Sequence, residues 1–183
     1  MRIVIGVTGS SGAIFAQEFL KQCDADKFLI ISKWGKVVIK EELGISEKEF
    51  ASFAKRQFSD DDLTAPTASG SNKFDALVIL PCSTSTVGKI ASGIGDTLIT
   101  RTAQVALKER YRLILCMRET PLSTVTLEQC TKISASGGMI MPISPPLYFV
   151  PNSVQEYIDA YIAKLLGVLG LRELKGWRFG DLE

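Results

Sequence analysis

Short, almost purely aliphatic runs recur along this chain with room for one amphipathic helix between them, and that rhythm constrains the fold most. Residues 3–7, 28–31, 76–80, 113–117 and 139–143 read as strands. They are apolar at nearly every position, as strands covered on both faces are. Residues 14–23, 36–43, 85–91, 97–108 and 126–134 read as helices between them. Alternating strands and helices build βαβ units around a parallel sheet. The expected architecture is a single three-layer α/β domain over residues 1–183, with helices on both faces. Residues 56–73 are rich in Asp, Ser, Thr and Gly and read as a surface loop holding at most a short helix. Pro145, Pro146 and Pro151 exclude regular helix just before the last segment. Ser153 and Glu156 then have the spacing of a capping box. Val154, Tyr157, Ile158, Tyr161, Ile162, Leu165, Leu166 and Leu169 follow at helical intervals, as an amphipathic cover for the sheet.

Composition excludes several functions. A chain of 183 residues with formal net charge +1 has no basic excess for phosphate-backbone binding, so nucleic acid is not an expected partner. No apolar run reaches the length of a membrane span, so no membrane partner is expected. The first residues begin at once as a strand and turn, without the zones of a signal peptide, which sets the cytoplasm as the expected location. Cys23, Cys82, Cys116 and Cys130 are far apart and form no CxxC pair, so buried free thiols are expected. The chain contains no histidine, which removes Ser-His-Asp and Cys-His catalysis and most transition-metal sites. No metal is expected, and proton transfer falls to carboxylates, Lys, Tyr, Cys or the substrate.

Four places carry residues suited to chemistry. Gly6, Gly9 and Gly12, with Ser10 and Ser11, form a glycine-rich turn between the first strand and its helix. Glycines let the backbone approach an anion, and the helix N-terminus offers N–H donors to a phosphate. The spacing matches neither the dinucleotide fingerprint nor a Walker A loop, and a tight structural turn is the plain alternative. Ser83, Thr84, Ser85 and Thr86 give four consecutive hydroxyls after the third strand, where α/β sheets bind ligands. Helix capping is the plain alternative there, and also for Ser32 after the second strand. Arg118 and Glu119 follow the fourth strand, and Pro121 ends regular structure. Arg118 can grip a phosphate bidentately and Glu119 can accept a proton, or the two can form a structural ion pair. Tyr148 and Lys164 read as a packed aromatic and a solvated charge unless the proline-rich loop folds over a site.

These strings together resemble the UbiX-type flavin prenyltransferases. The resemblance rests on residues 9–13, 80–83, 107–110, 115–122 and 139–142, in order, and Arg118, Glu119, Thr120, Pro121 and Leu122 are its most specific part. It implies a flavodoxin-like (Rossmann-like) sheet, binding of FMN, and assembly into a dodecameric homo-oligomer. It also implies a reaction that joins the dimethylallyl group of dimethylallyl phosphate to N5 and then C6 of reduced FMN. The product is the prenylated FMN cofactor of a UbiD-type decarboxylase, the implied recipient. By the same resemblance, Gly9, Ser10, Ser11, Ser32, Ser83, Thr84, Ser85, Thr86 and Arg118 contact FMN. Lys108, Tyr148 and Lys164 bind the dimethylallyl phosphate, and Glu42, Glu119 and Ser11 take part in catalysis.

The chain departs from the family at Lys164, where Arg is usual, at Ser85, where Lys is common, and at Thr97, where Asn is common. A Lys at 164 makes a single-point phosphate contact rather than a fork. Two competing readings share the phosphate cradle. A flavin-dependent cysteine decarboxylase generally relies on an active-site histidine, which is missing here. A non-catalytic FMN carrier needs no catalytic glutamate.

Overall fold

The computed structural model describes residues 1–145, 147 and 150–172. Six strands form one sheet: β1 (Arg2–Val7), β2 (Asp26–Ile31), β3 (Arg56–Ser59), β4 (Ala76–Cys82), β5 (Arg112–Met117) and β6 (Met139–Ile140). Every pairing is parallel, and the spatial order is β3-β2-β1-β4-β5-β6. The helices are α1 (Ala13–Gln22), α2 (Lys33–Leu43), α3 (Glu47–Ala51), α4 (Thr84–Ala91), α5 (Leu98–Glu109), α6 (Thr124–Ala135) and α7 (Val154–Leu169), with one 3-10 turn at Pro66–Ala68.

The strands are aliphatic throughout because alternate residues enter two separate cores. Ile3, Ile5, Val78 and Leu80 pack with Phe19 of α1, Ile39 of α2 and Ile162 of α7 on one face. Val4, Leu77 and Ile79 pack with Val87 of α4, Ala103 of α5 and Ile133 of α6 on the other. Both cores lie in the sheet's centre, so its carboxyl edge is left to polar loops. No helix among the described residues is long and apolar enough to cross a membrane.

Three sequence expectations change. The segment read as a loop starts with an edge strand, Arg56–Ser59, which pairs with β2 from Phe28 to Ile31. Phe58, Ala65 and Thr67 from that segment are buried. The fifth expected strand shortens to Met139–Ile140, although Met141 and Ile143 still donate to Leu115 and Met117 of β5 at 2.9 and 2.8 Å. The capping box at α7 is half formed. Ser153 accepts from Glu156 N, but Glu156 reaches Asn152 N rather than the cap's own N–H. The reciprocal box occurs instead at α5, between Thr97 and Thr100.

Burial raises the thiols of Cys23 to about 11 and Cys116 to about 12, and pushes Cys82 well above its ordinary 9.0. Below pH 9 these thiols are neutral in the folded and unfolded chain alike, so their contribution is intact. Above it the unfolded chain releases protons that the folded chain keeps, and stability falls as pH rises toward 11. Each such thiol contributes about 1.4 kcal/mol per pH unit in that window. The urea midpoint is expected to drop between pH 9 and 11, with a shallower drop in Cys23→Ala. Identical slopes in the two proteins would refute this.

Candidate functional site

Strand order reverses between β1 and β4, since β2 and β3 extend to one side and β5 and β6 to the other. At such a reversal the loops leave in opposite directions and open a crevice at the carboxyl ends. Hydrogen bonds join the strand exits around it. Thr8, 3% exposed, donates its hydroxyl to Pro81 O at 2.8 Å and accepts from Ser83 N at 2.8 Å. Ser32 N donates to Val7 O, and the Ser10 hydroxyl donates to Arg118 O at 2.7 Å. The ends of β1, β2, β4 and β5 are thereby fixed as one frame.

A cleft of about 370 Å³ opens on this frame, a size suited to a small-molecule ligand. Two helices begin at it. Ser32 caps α2 by accepting from Gly35 N at 3.0 Å, and Ser83 caps α4 by accepting from Thr86 N at 3.3 Å. Ser85, Thr86 and Lys33 line the cleft at these helix starts, and Lys89 lines it one turn into α4 while paired with Asp96 at 2.7 Å. Helix N-termini, hydroxyls and ammonium groups at this end suit an anion, while the carboxylates of Asp60 and Asp61 also line the cleft. Gly9 forms the floor, and a Cβ there would stand 2.5 Å from Trp34 Cβ. Glycine thus lets Trp34, 65% exposed, lie across the β1 exit as a free aromatic surface.

The far wall comes from the start of α5. Thr97 and Thr100 cap each other there and also line the cleft. Asp60, just after β3, accepts from Ile99 N at 2.8 Å through its side chain and from Leu98 N at 2.7 Å through its carbonyl. Partial burial raises the Asp60 carboxyl above its usual range, against the lowering effect of the Ile99 bond. Asp60, Thr97, Thr100 and Lys89 are cleft residues that sequence reading missed. The edge strand that Asp60 follows was itself read as loop, and the α5 residues showed only a helix start.

Glu42 alters the expected role of the glycine-rich turn. It lies in the last turn of α2, and its carboxylate accepts from Gly12 N at 2.9 Å and Ala13 N at 2.7 Å. The N-terminus of α1, expected to hold a phosphate, is thus closed by a carboxylate from the protein itself. The anion subsite falls at α2 and α4 instead. Gly12 has φ 116°, a left-handed conformation that favours glycine, and its open side faces Ile143, Phe15 and Pro81. Ser11 is exposed beside this apolar corner. Arg118 and Glu119 are exposed on the neighbouring loop, where Glu119 accepts from Thr120 N at 3.1 Å. Among the described residues Arg118 and Glu119 form no ion pair, so both remain available to a ligand.

Gly9, Ser32, Ser83, Ser85 and Thr86 therefore meet at the cleft. Ser10, Ser11, Arg118 and Glu119 belong to the adjoining loops and Glu42 to the last turn of α2, whereas Thr84 is half-buried in the first turn of α4 and does not line the cleft. Lys108 lies eight residues beyond Thr100 on α5, roughly 12 Å along the helix axis toward the opposite sheet edge, and pairs with Glu109. Lys164 is exposed on α7 and does not line the cleft. Tyr148 and the tail from Trp177 lie outside the described residues.

A family model described as Flavoprotein matches residues 1–165. The flavin prenyltransferase UbiX of Thermoplasma acidophilum is 43% identical over 97% of this chain and 100% of its own length. Among solved structures, AnUbiX (PadA1) in complex with FMN and dimethylallyl pyrophosphate is 34% identical, with TM-score 0.91 over 97% of this chain and 98% of that one. A dodecameric FMN-dependent UbiX-like decarboxylase from Escherichia coli O157:H7 is 32% identical, with TM-score 0.92 over 98% and 99%.

Proposed function

The chain belongs to the UbiX-type flavin prenyltransferases of the flavoprotein family, and on that premise we propose that it joins the dimethylallyl group of dimethylallyl phosphate to reduced FMN. In this reaction the bond from the allylic carbon to the phosphate oxygen breaks as a bond to flavin N5 forms and N5 loses its proton; the alkene then takes up a proton, and its tertiary carbon bonds C6, which gives up its own proton. The observation that carries the reading is the cleft at the strand reversal, with α2 and α4 starting at one end and the exposed Trp34 across its floor.

The residues present fit FMN. Ser32, Ser83, Ser85 and Thr86 hold the phosphate at the two helix starts, where neutral hydroxyls and N–H donors suit a dianion. Gly9 permits close approach of the ligand to the backbone. The hydroxyl of Ser10 already donates to Arg118 O, so Ser10 positions the loop and offers a ligand its N–H as donor and its hydroxyl oxygen as acceptor. Ser11, Glu42, Arg118 and Glu119 frame the reacting edge. Arg118 counters negative charge on the phosphate that departs, while Glu42 and Glu119 hold or accept protons.

Lys108 and Lys164 lie off the cleft in their own chain, so their contact with dimethylallyl phosphate comes from a neighbouring copy in a homo-oligomer. The dodecameric relative supports that arrangement. Tyr148 completes the substrate set by resemblance. The whole of residues 1–183 acts as one catalytic domain, and the product passes to a UbiD-type decarboxylase. All four cysteines are free thiols, which supports a reducing, cytoplasmic location.

The test is mass spectrometry of the flavin after anaerobic reduction with dimethylallyl monophosphate or diphosphate. The expected result is a flavin heavier by one dimethylallyl unit, absent when the donor is withheld. Bound FMN of unchanged mass with both donors would make the chain a carrier instead.

A further inference from the structure

The opposite, amino-terminal edge of the sheet carries a second cavity, of about 290 Å³, where β1, β2 and β3 begin. Its origin is topological. The connection from β3 to β4 contains only the short turn Pro66–Ala68, so it sets no α-helix over this corner of the sheet. Phe28 is consequently half-buried, while the next residues on the strand, Leu29 and Ile30, are fully buried.

The floor is aromatic. The rings of Phe28 and Phe58 are stacked with centroids 6.3 Å apart and planes 23° apart, and Phe74 forms a further wall. The rim is cationic: Arg2, Lys55, Arg56 and Lys73 stand against one lining carboxylate, Asp26. Lys55 takes that carboxylate at 2.7 Å. Arg2, Arg56 and Lys73 have no ion-pair partner among the described residues. The Arg56 guanidinium sits 4.7 Å from the centroid of Phe58, so the cationic rim touches the aromatic floor directly.

An apolar aromatic floor favours a ring, and cations at its edge that form no salt bridge among the described residues favour a carboxylate on that ring. The volume is at the lower end for ligand pockets, which limits the occupant to about a single ring. We propose that this cavity is a second ligand site, separate from the flavin cleft, for a small planar aromatic carboxylate. The ring lies against the accessible part of Phe28, which Phe58 backs, and the carboxylate meets Arg56 and Lys73.

Benzoate and inorganic phosphate serve as probes, titrated calorimetrically into the full chain saturated with FMN, so that the cleft's own anion subsite is filled. Benzoate is expected to bind saturably, once per chain, and at least about tenfold more tightly than phosphate. In the Arg56→Gln, Lys73→Gln double variant, whose changes lie at exposed positions, benzoate affinity is expected to fall about tenfold or more. Absence of saturable benzoate binding overturns the proposal, as it would if another copy covered this face. Unchanged affinity in the double variant, or phosphate binding as tight as benzoate, overturns it equally.

Discussion

Glu42→Gln is expected to yield a folded protein that prenylates FMN at least roughly a hundredfold more slowly than wild type. The proposed reaction gives Glu42 a second role beside its observed contacts, and this substitution separates the two. As an acceptor it closes the N-terminus of α1 through Gly12 N and Ala13 N. Both bonds go to one carboxylate oxygen, whose place the glutamine carbonyl can take, so the stability loss should be only about 0.5–1 kcal/mol, from the lost charge at the helix start. As a base beside Ser11, however, the amide cannot take a proton. The turnover number should therefore collapse while the FMN dissociation constant moves by less than about threefold. Glu42→Asp is the companion variant, because its side chain is one carbon too short to span from α2 to both N–H groups. It should lose stability and activity together. Near-normal turnover in Glu42→Gln would reduce Glu42 to a helix cap.

That double role illustrates which parts of the site the sequence made legible. The four central runs were readable as strands because a strand buried on both faces must be apolar at every position, and Val4 and Ile5 enter different cores. The edge strand was not, because Arg56, Gln57 and Ser59 surround a single buried Phe58. An edge strand needs only one apolar anchor, so no period could reveal it. Ser32 and Ser83 were legible as hydroxyls after strands and proved to be both caps and cleft walls. Capping leaves room for the functional reading, since a cap hydroxyl sits where helix N–H groups are exposed. The contact of Glu42 with Gly12 spans thirty positions of sequence. It depends on how far α2 runs and how it leans, which local spacing does not encode. The same applies to Lys108, whose motif gives its place on α5 but not which protomer's site it can reach.

Gly35→Ala should combine the largest loss of stability with a loss of flavin affinity, through one contact. Gly35 is buried in the first turn of α2, and a Cβ there would stand 2.4 Å from Val7 O, 3.0 Å from Val7 C and 3.1 Å from Ile31 Cγ2. Two of these atoms are backbone at the end of β1, and Val7 O already accepts from Ser32 N at 3.0 Å. Neither side can yield by a rotamer change, so α2 must move off the sheet. Overpacking of this kind costs about 2–3 kcal/mol, roughly 4–12 °C in melting temperature for a chain of this size. The displaced helix carries Ser32, Lys33 and Trp34 at the cleft and Glu42 at α1. FMN affinity should therefore fall about tenfold or more, the result of losing a well-placed charge-assisted hydrogen bond. Gly44→Ala, at the other end of the same helix, supplies the contrast. Its φ is +68° and no atom lies within 4 Å of the added carbon, so it should cost only about 1 kcal/mol of backbone strain and leave FMN binding unchanged. If Gly35→Ala melted and bound flavin like Gly44→Ala, the cleft would not depend on α2 seating against the end of β1.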